Sequence, residues 1–120
     1  FFGIGAGSFT EIFFLNTNFW KGHSHNLLLE LSISYGLPAT IIFFITTTNI
    51  LYLSSKKIFP NKMKIDVNYI DRAFWTALFF FLISQLADVQ YFDGKISLIT
   101  WILMGGLKNI ILDKNYKFSF

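Results

Sequence analysis

The sequence predicts an all-α integral membrane protein: about three transmembrane helices following a loop that holds one short helix. Three observations point there. Of 120 residues, 53% are hydrophobic and 20% aromatic, with 16 phenylalanines; a water-soluble domain this small leaves too much surface exposed to bury so much aromatic area. A run without charge extends from Gly36 to Leu53, about the length needed to cross hydrocarbon. The connection Ser54 to Lys64 carries four lysines and no acid, as expected of a loop on the positive side of a membrane.

The net charge of +3 is modest, and ten basic residues scattered among apolar runs make no nucleic-acid face. The absence of cysteine excludes a disulfide framework and thiolate metal sites. The chain opens Phe1-Phe2-Gly3 without an initiator methionine, and the expectation is a piece of a longer polypeptide.

Residues 1–35 read as the end of a loop. Gly3, Gly5 and Gly7 could cradle a phosphate, but no strand precedes them and no Lys-Ser/Thr pair follows. A flexible exit from a membrane helix is the plainer reading. Phe13, Phe14, Phe19 and Trp20 suit a segment lying at headgroup level. Ser24 or Asn26 can cap a helix over Leu27–Ser34 that Gly36 stops. Residues 36–120 read as a membrane region with spans at about 36–53, 70–87 and 96–112. Pro38 falls where a helix start tolerates it. Thr46, Thr47 and Thr48 can bond back to the preceding turn. The last span contains Gly105-Gly106, with Lys108 able to snorkel near its end. Lysine counting puts loop 54–64 and the tail inside, and the histidine stretch with turn 88–95 outside. Three spans place the chain ends on opposite sides.

Both histidines fall in Lys21-Gly22-His23-Ser24-His25-Asn26-Leu27-Leu28-Leu29-Glu30. Three chemistries compete there. His23, His25 and Glu30 could supply three zinc ligands, although His25 would lie on another helical face. The same residues could simply cap and anchor a re-entrant helix. Or His25, beside a helix N-terminus whose dipole favours neutral imidazole, could act as a general base, with Asn26 and Glu30 on one helical face as its supports.

Gly3-x-Gly5-x-Gly7-Ser8-Phe9, then His23-Ser24-His25-Asn26-x-x-Leu29-Glu30 and Gly36-Leu37-Pro38, resembles the O-antigen ligase and polymerase superfamily. That family's motif is His, then Asn/Ser/Gln, nine residues, Gly, two residues, and Gly/Thr/Tyr. His25-Asn26 and Gly36 match it, with Leu27 to Tyr35 between; Ala39 departs at the last place, a small-for-small change. Ser84-Gln85-x-x-Asp88-x-Gln90-Tyr91-Phe92-Asp93-Gly94-Lys95-Ile96 through Trp101 also looks like the end of the family, especially its cyanobacterial-type members.

The resemblance implies the C-terminal portion of a polytopic glycosyltransferase of the bacterial inner membrane, with the histidine motif in a periplasmic loop. The reaction it implies moves a glycan from undecaprenyl diphosphate to a sugar hydroxyl. Lipid A–core is the acceptor for a ligase, and another polyprenyl-linked glycan for a polymerase. His25 is the expected catalytic base, with neither metal nor cofactor. Asn26 and Glu30 are its supports, and His23, Lys21 and Lys95 join them as substrate contacts. Membrane lipid and the upstream transmembrane helices of the same protein are the other expected partners, and nucleic acid is not one.

One departure bears on activity. A diphosphate leaving group needs nearby cations, which the family supplies as arginines from loops before the histidine. The single arginine here, Arg72, falls on the inner side, so the fragment alone is expected to be inactive. The alternative from another class is a non-catalytic membrane segment of a polysaccharide transport or assembly protein, with His25 only a cap.

Overall fold

A computed structural model describes residues 1–59, 69–90 and 93–113. These form five α-helices and no strand: α1 (Ser8–Thr17), α2 (Leu27–Tyr35), α3 (Leu37–Ile58), α4 (Tyr69–Ser84) and α5 (Gly94–Leu112). Lys62, Lys64, Tyr91, Phe92, Lys114 and Lys117, which enter the expectations above, lie outside the described residues.

Helices α3, α4 and α5 pack together, and with α1 and α2 stacked at one end they make a rod 59 Å long and 22 Å across in the other two directions. The Lys57 ammonium at the end of α3 donates to the carbonyls of Ile110, Ile111 and Asp113 at 2.8–3.0 Å. The C-termini of α3 and α5 therefore share one end. Trp75, early in α4, donates its indole N–H to Leu51 O late in α3 (2.9 Å), so α4 runs the opposite way. Helix α2 lies against α3 at the other end, and α1 against α2.

The packing inverts the usual order of burial. Thr40, Thr47, Ser54 and Thr100 are buried, whereas Ile41, Ile42, Phe44, Ile45, Leu98, Ile99, Trp101 and Ile102 are exposed. On α3 the three buried hydroxyls recur every seven residues, which holds them on one stripe. Each bonds back into its own helix, Thr40 to Gly36 O, Thr47 to Phe43 O, Ser54 to Ile50 O, so none is left unsatisfied inside. Small residues of this kind let helix backbones approach closely. Two helices, α3 and α5, are long and apolar enough to cross a membrane by length and composition.

Several bounds differ from those expected. Helix α3 continues past Leu53 to Ile58, with Lys56 and Lys57 in the last turn, where cations meet the negative end of the dipole. Helix α5 starts at Gly94 because Asp93 Oδ1 accepts from Lys95 N (2.9 Å) and Ile96 N (3.4 Å), and it runs unbroken through Gly105 and Gly106. The middle span, expected to reach residue 87, stops as helix at Ser84. Its 16 residues cover about 24 Å at 1.5 Å each, less than the roughly 30 Å of hydrocarbon. Its C-terminal end is docked on α2. The carbonyls of Gln85 and Leu86 are taken by Leu27 N (2.9 Å) and Asn26 Nδ2 (3.0 Å) at the start of α2, and residues 85–88 tighten into turns.

The N-terminal glycines clasp the far end of α2. Ile4 N donates to Ile33 O (2.8 Å), Gly5 N to Ser34 O (3.1 Å), and Leu37 N to Phe1 O (3.1 Å). The first two bonds occupy carbonyls that the end of α2 leaves orphaned, and the third satisfies an orphan N–H at the start of α3. A Cβ on Gly3 would stand 2.6 Å from Ser34 O, and one on Gly36 2.5 Å from Phe1 O; both residues have positive φ. The amides of Ile4 and Gly5 thus serve α2, where the phosphate-cradle reading needed them free.

Candidate functional site

His25 sits at the α2 end of the rod, one residue before the helix cap. Its backbone is left-handed, φ 56°, a conformation uncommon outside glycine. The residues on either side hold it there. Before it, Ser24 N donates to Glu30 Oε2 (2.8 Å), and Ser24 Oγ donates to Asn26 O (3.0 Å). After it, Asn26 accepts at Oδ1 from Leu28 N (3.0 Å) and Leu29 N (3.2 Å), capping α2. The amide of Asn26 donates to Leu86 O, tying the cap to the turn after α4.

That turn delivers Asp88. Its Oδ1 lies 3.0 Å from His25 Nδ1 and accepts from Val89 N at 2.9 Å. The Gln85 side chain steadies the same turn by accepting from Gln90 N (2.8 Å). A carboxylate at Nδ1 keeps the proton of a neutral imidazole on that nitrogen and leaves Nε2 with a free lone pair. The hydrogen bond from His25 holds the Asp88 carboxyl below its usual range, with Val89 N–H a lesser contribution. His25 and Asp88 are about half exposed, 52% and 56%, so the pair is open to solvent.

His23 completes the cluster. Its ring centroid is 4.3 Å from that of His25, its Nδ1 is 4.0 Å from Asp88 Oδ1, and it accepts from His25 N at 3.3 Å. The site residues expected from sequence divide. His23 and His25 meet. Asn26 and Glu30 bracket His25 through the backbone and do not touch its ring; Glu30 is buried with its carboxylate on Ser24 N. The Lys21 ammonium lies 5.7 Å from the Phe13 ring centroid, a cation–π distance. Lys95 stands in the first turn of α5. Among the described residues neither lysine shares a hydrogen bond or ion pair with the cluster. Arg72 is at the opposite end of the rod, against Phe59 (5.1 Å).

Asp88 is the site residue that sequence reasoning did not assign a role. It stands 63 positions from His25, and no local spacing marks it. Its signals were its place in the polar turn between two apolar runs and in the stretch from Ser84 to Trp101 that carries part of the resemblance. Compared with known proteins, the chain matches no family model, no curated protein and no solved structure.

Proposed function

We propose that this chain is the C-terminal part of a bacterial inner-membrane glycosyltransferase, moving a glycan from undecaprenyl diphosphate to a sugar hydroxyl, with lipid A–core as acceptor. The observation that carries the reading is the 3.0 Å contact between His25 Nδ1 and Asp88 Oδ1 at an exposed end of an apolar helical rod. Asp88 sets the tautomer, and His25 Nε2 is the base. The acceptor hydroxyl gives its proton to Nε2 as its oxygen bonds to the anomeric carbon. The bond from that carbon to the phosphate breaks, and undecaprenyl diphosphate leaves with the electron pair. Asp88 then steadies the imidazolium. The motif His25-Asn26…Gly36 supports the substrate class through resemblance.

The inverted burial of α3 and α5 supports the membrane setting. Outward Ile, Leu, Phe and Trp suit lipid, and inward Thr and Ser suit close helix contacts. In that setting the His25 end faces the periplasm and the Lys56–Lys57 end the cytoplasm. Lys21 and Lys95 are the cations this chain offers the diphosphate, and the upstream helices supply the rest of the clamp.

The test is transfer by the purified full-length protein, given polyprenyl diphosphate glycan and lipid A–core. His25→Ala abolishes product at unchanged membrane abundance. Surviving transfer would remove His25 from the chemistry. Elongated polyprenyl-linked chains in place of glycosylated lipid A–core would make the enzyme a polymerase. Folded native protein that forms neither product would return the chain to the non-catalytic class.

A further inference from the structure

The cluster at the end of the rod has a capacity separate from proton transfer. One ligand atom from each of His23, His25 and Asp88 falls within 4.8 Å of the others. Around tetrahedral zinc, with bonds of roughly 2.0–2.1 Å, neighbouring ligand atoms stand about 3.3 Å apart. The two measured distances to Asp88 Oδ1, 3.0 Å from His25 Nδ1 and 4.0 Å from His23 Nδ1, bracket that value. All three side chains are partly exposed, so rotation about side-chain bonds can close the remainder. Coordination at both Nδ1 atoms displaces two hydrogen bonds, the 3.3 Å contact of His25 N with His23 and that of His25 with Asp88. Two imidazoles and one carboxylate make a borderline donor set, suited to zinc and copper and ill suited to magnesium or calcium, which prefer oxygen throughout. Three protein ligands leave a fourth position open to water. Glu30, the carboxylate that spacing offered, is instead buried on Ser24 N.

We propose that His23, His25 and Asp88 form a zinc site, and that zinc bound there switches off His25 as a base. A neutral imidazole has one lone pair and one N–H. Zinc on Nδ1 takes the lone pair and the proton resides on Nε2, so the acceptor hydroxyl meets a donor where transfer needs an acceptor. The ring gives up the Nδ1 proton to water and takes one from water at Nε2, so its proton count is unchanged, and Asp88 changes from hydrogen-bond acceptor to ligand. Zinc binding and base catalysis therefore exclude each other. The switch rests on the function proposed above; the binding does not.

The experiment titrates chelator-stripped full-length protein in detergent with Zn²⁺ by calorimetry and follows transfer in parallel. Native protein loses transfer along the same isotherm, and EDTA restores it. His23→Ala and Asp88→Asn each weaken zinc binding roughly tenfold or more, the least that loss of even a partner outside the ligand set costs. Unchanged affinity in both variants overturns the site, and full transfer at saturating zinc overturns the switch. Copper(II) on the native protein needs no variant: its electron paramagnetic resonance spectrum carries coupling from two imidazoles, and a spectrum without that coupling overturns the site. Zinc bound through these residues by protein that makes no transfer product without metal refutes the proposed reaction and leaves the site standing. Transfer with no zinc binding does the reverse.

Discussion

The two ends of the rod are held together by different forces. At the Lys57 end, Ile58, Leu78, Met104 and Leu107 bury one another, and Trp75 stacks on Phe79 at 5.0 Å and meets Phe59 edge-on at 5.3 Å. At the His25 end the apolar cluster is only Leu27, Leu31 and Val89, with Phe43 against them. There the work passes to hydrogen bonds between distant segments: residues 1–5 to the end of α2, and residues 85–86 to its start. Apolar packing is non-directional and tolerates small shifts. Directed bonds hold a side chain to one geometry. At the Lys57 end the bonds of Lys57 and Trp75 to backbone carbonyls supplement an apolar cluster, whereas at the His25 end, where titratable groups meet, directed bonds carry most of the docking.

Mutations that distinguish the ends sharpen that contrast. The largest effect belongs to Asp88→Asn, which presents His25 with a poorer partner and an uncertain tautomer. Transfer by the full-length protein falls roughly 100-fold while helix content by circular dichroism stays native. Equal transfer would mean that the carboxylate does not set the ring.

Gly36→Ala comes next. Its Cβ would stand 2.5 Å from Phe1 O at φ 88°, a cost of about 2 kcal/mol read as a lowered unfolding midpoint in detergent. A midpoint like that of native protein would break the account of the clasp. Asn26→Ala removes a cap and costs about 1 kcal/mol. It also frees Leu86 O, so hydrogen exchange at Leu27 N rises; protection as in native protein would show the turn to be held by something else. Lys57→Met is the smallest, about 0.5 kcal/mol from the end of α5, and it leaves transfer at the other end unchanged. A fall in transfer would mean that the two ends are coupled.

Acid tests the same contrast without mutation. Asp88 has its pKa lowered in the fold, so its contribution is present above the unfolded value and is lost as pH falls through the lowered folded one. Acidification to the top of the ordinary carboxylate range therefore leaves the turn after α4 docked, and the contribution is withdrawn only below it. Hydrogen exchange at Leu27 N reads this, and undocking already in weak acid would break the assignment of Asp88 to His25.

Local signals carried much of the architecture. Asn26 as a cap and Gly36 as a stop bounded α2 closely, because both act through a few neighbouring backbone groups. The uncharged run from Gly36 and the first-turn Pro38 announced α3, and Thr47 bonds back as its type suggests. The end of α4 was not legible. Leu86 and Ala87 continue an apolar run, yet the helix stops at Ser84 and the carbonyls of Gln85 and Leu86 turn to α2. Likewise Asn26 and Glu30 belonged near His25, but that both bond to backbone groups around it and not to its ring depended on the fold.

By itself the sequence determined the all-helical class, the bounds of α2, the start of α3, and the placing of Lys56 and Lys57 at the other end of α3 from the histidines, about 33 Å away at 1.5 Å per residue. These follow from residue types and their spacing along one chain. Only the tertiary structure decided that Asp88 is the partner of His25. That meeting depends on where the turn after α4 lands against the cap of α2, and the bonds that set it, Leu27 N to Gln85 O and Asn26 Nδ2 to Leu86 O, span about sixty residues. Their backbone carbonyls are chemically alike in every residue, so no side-chain pattern could have named them.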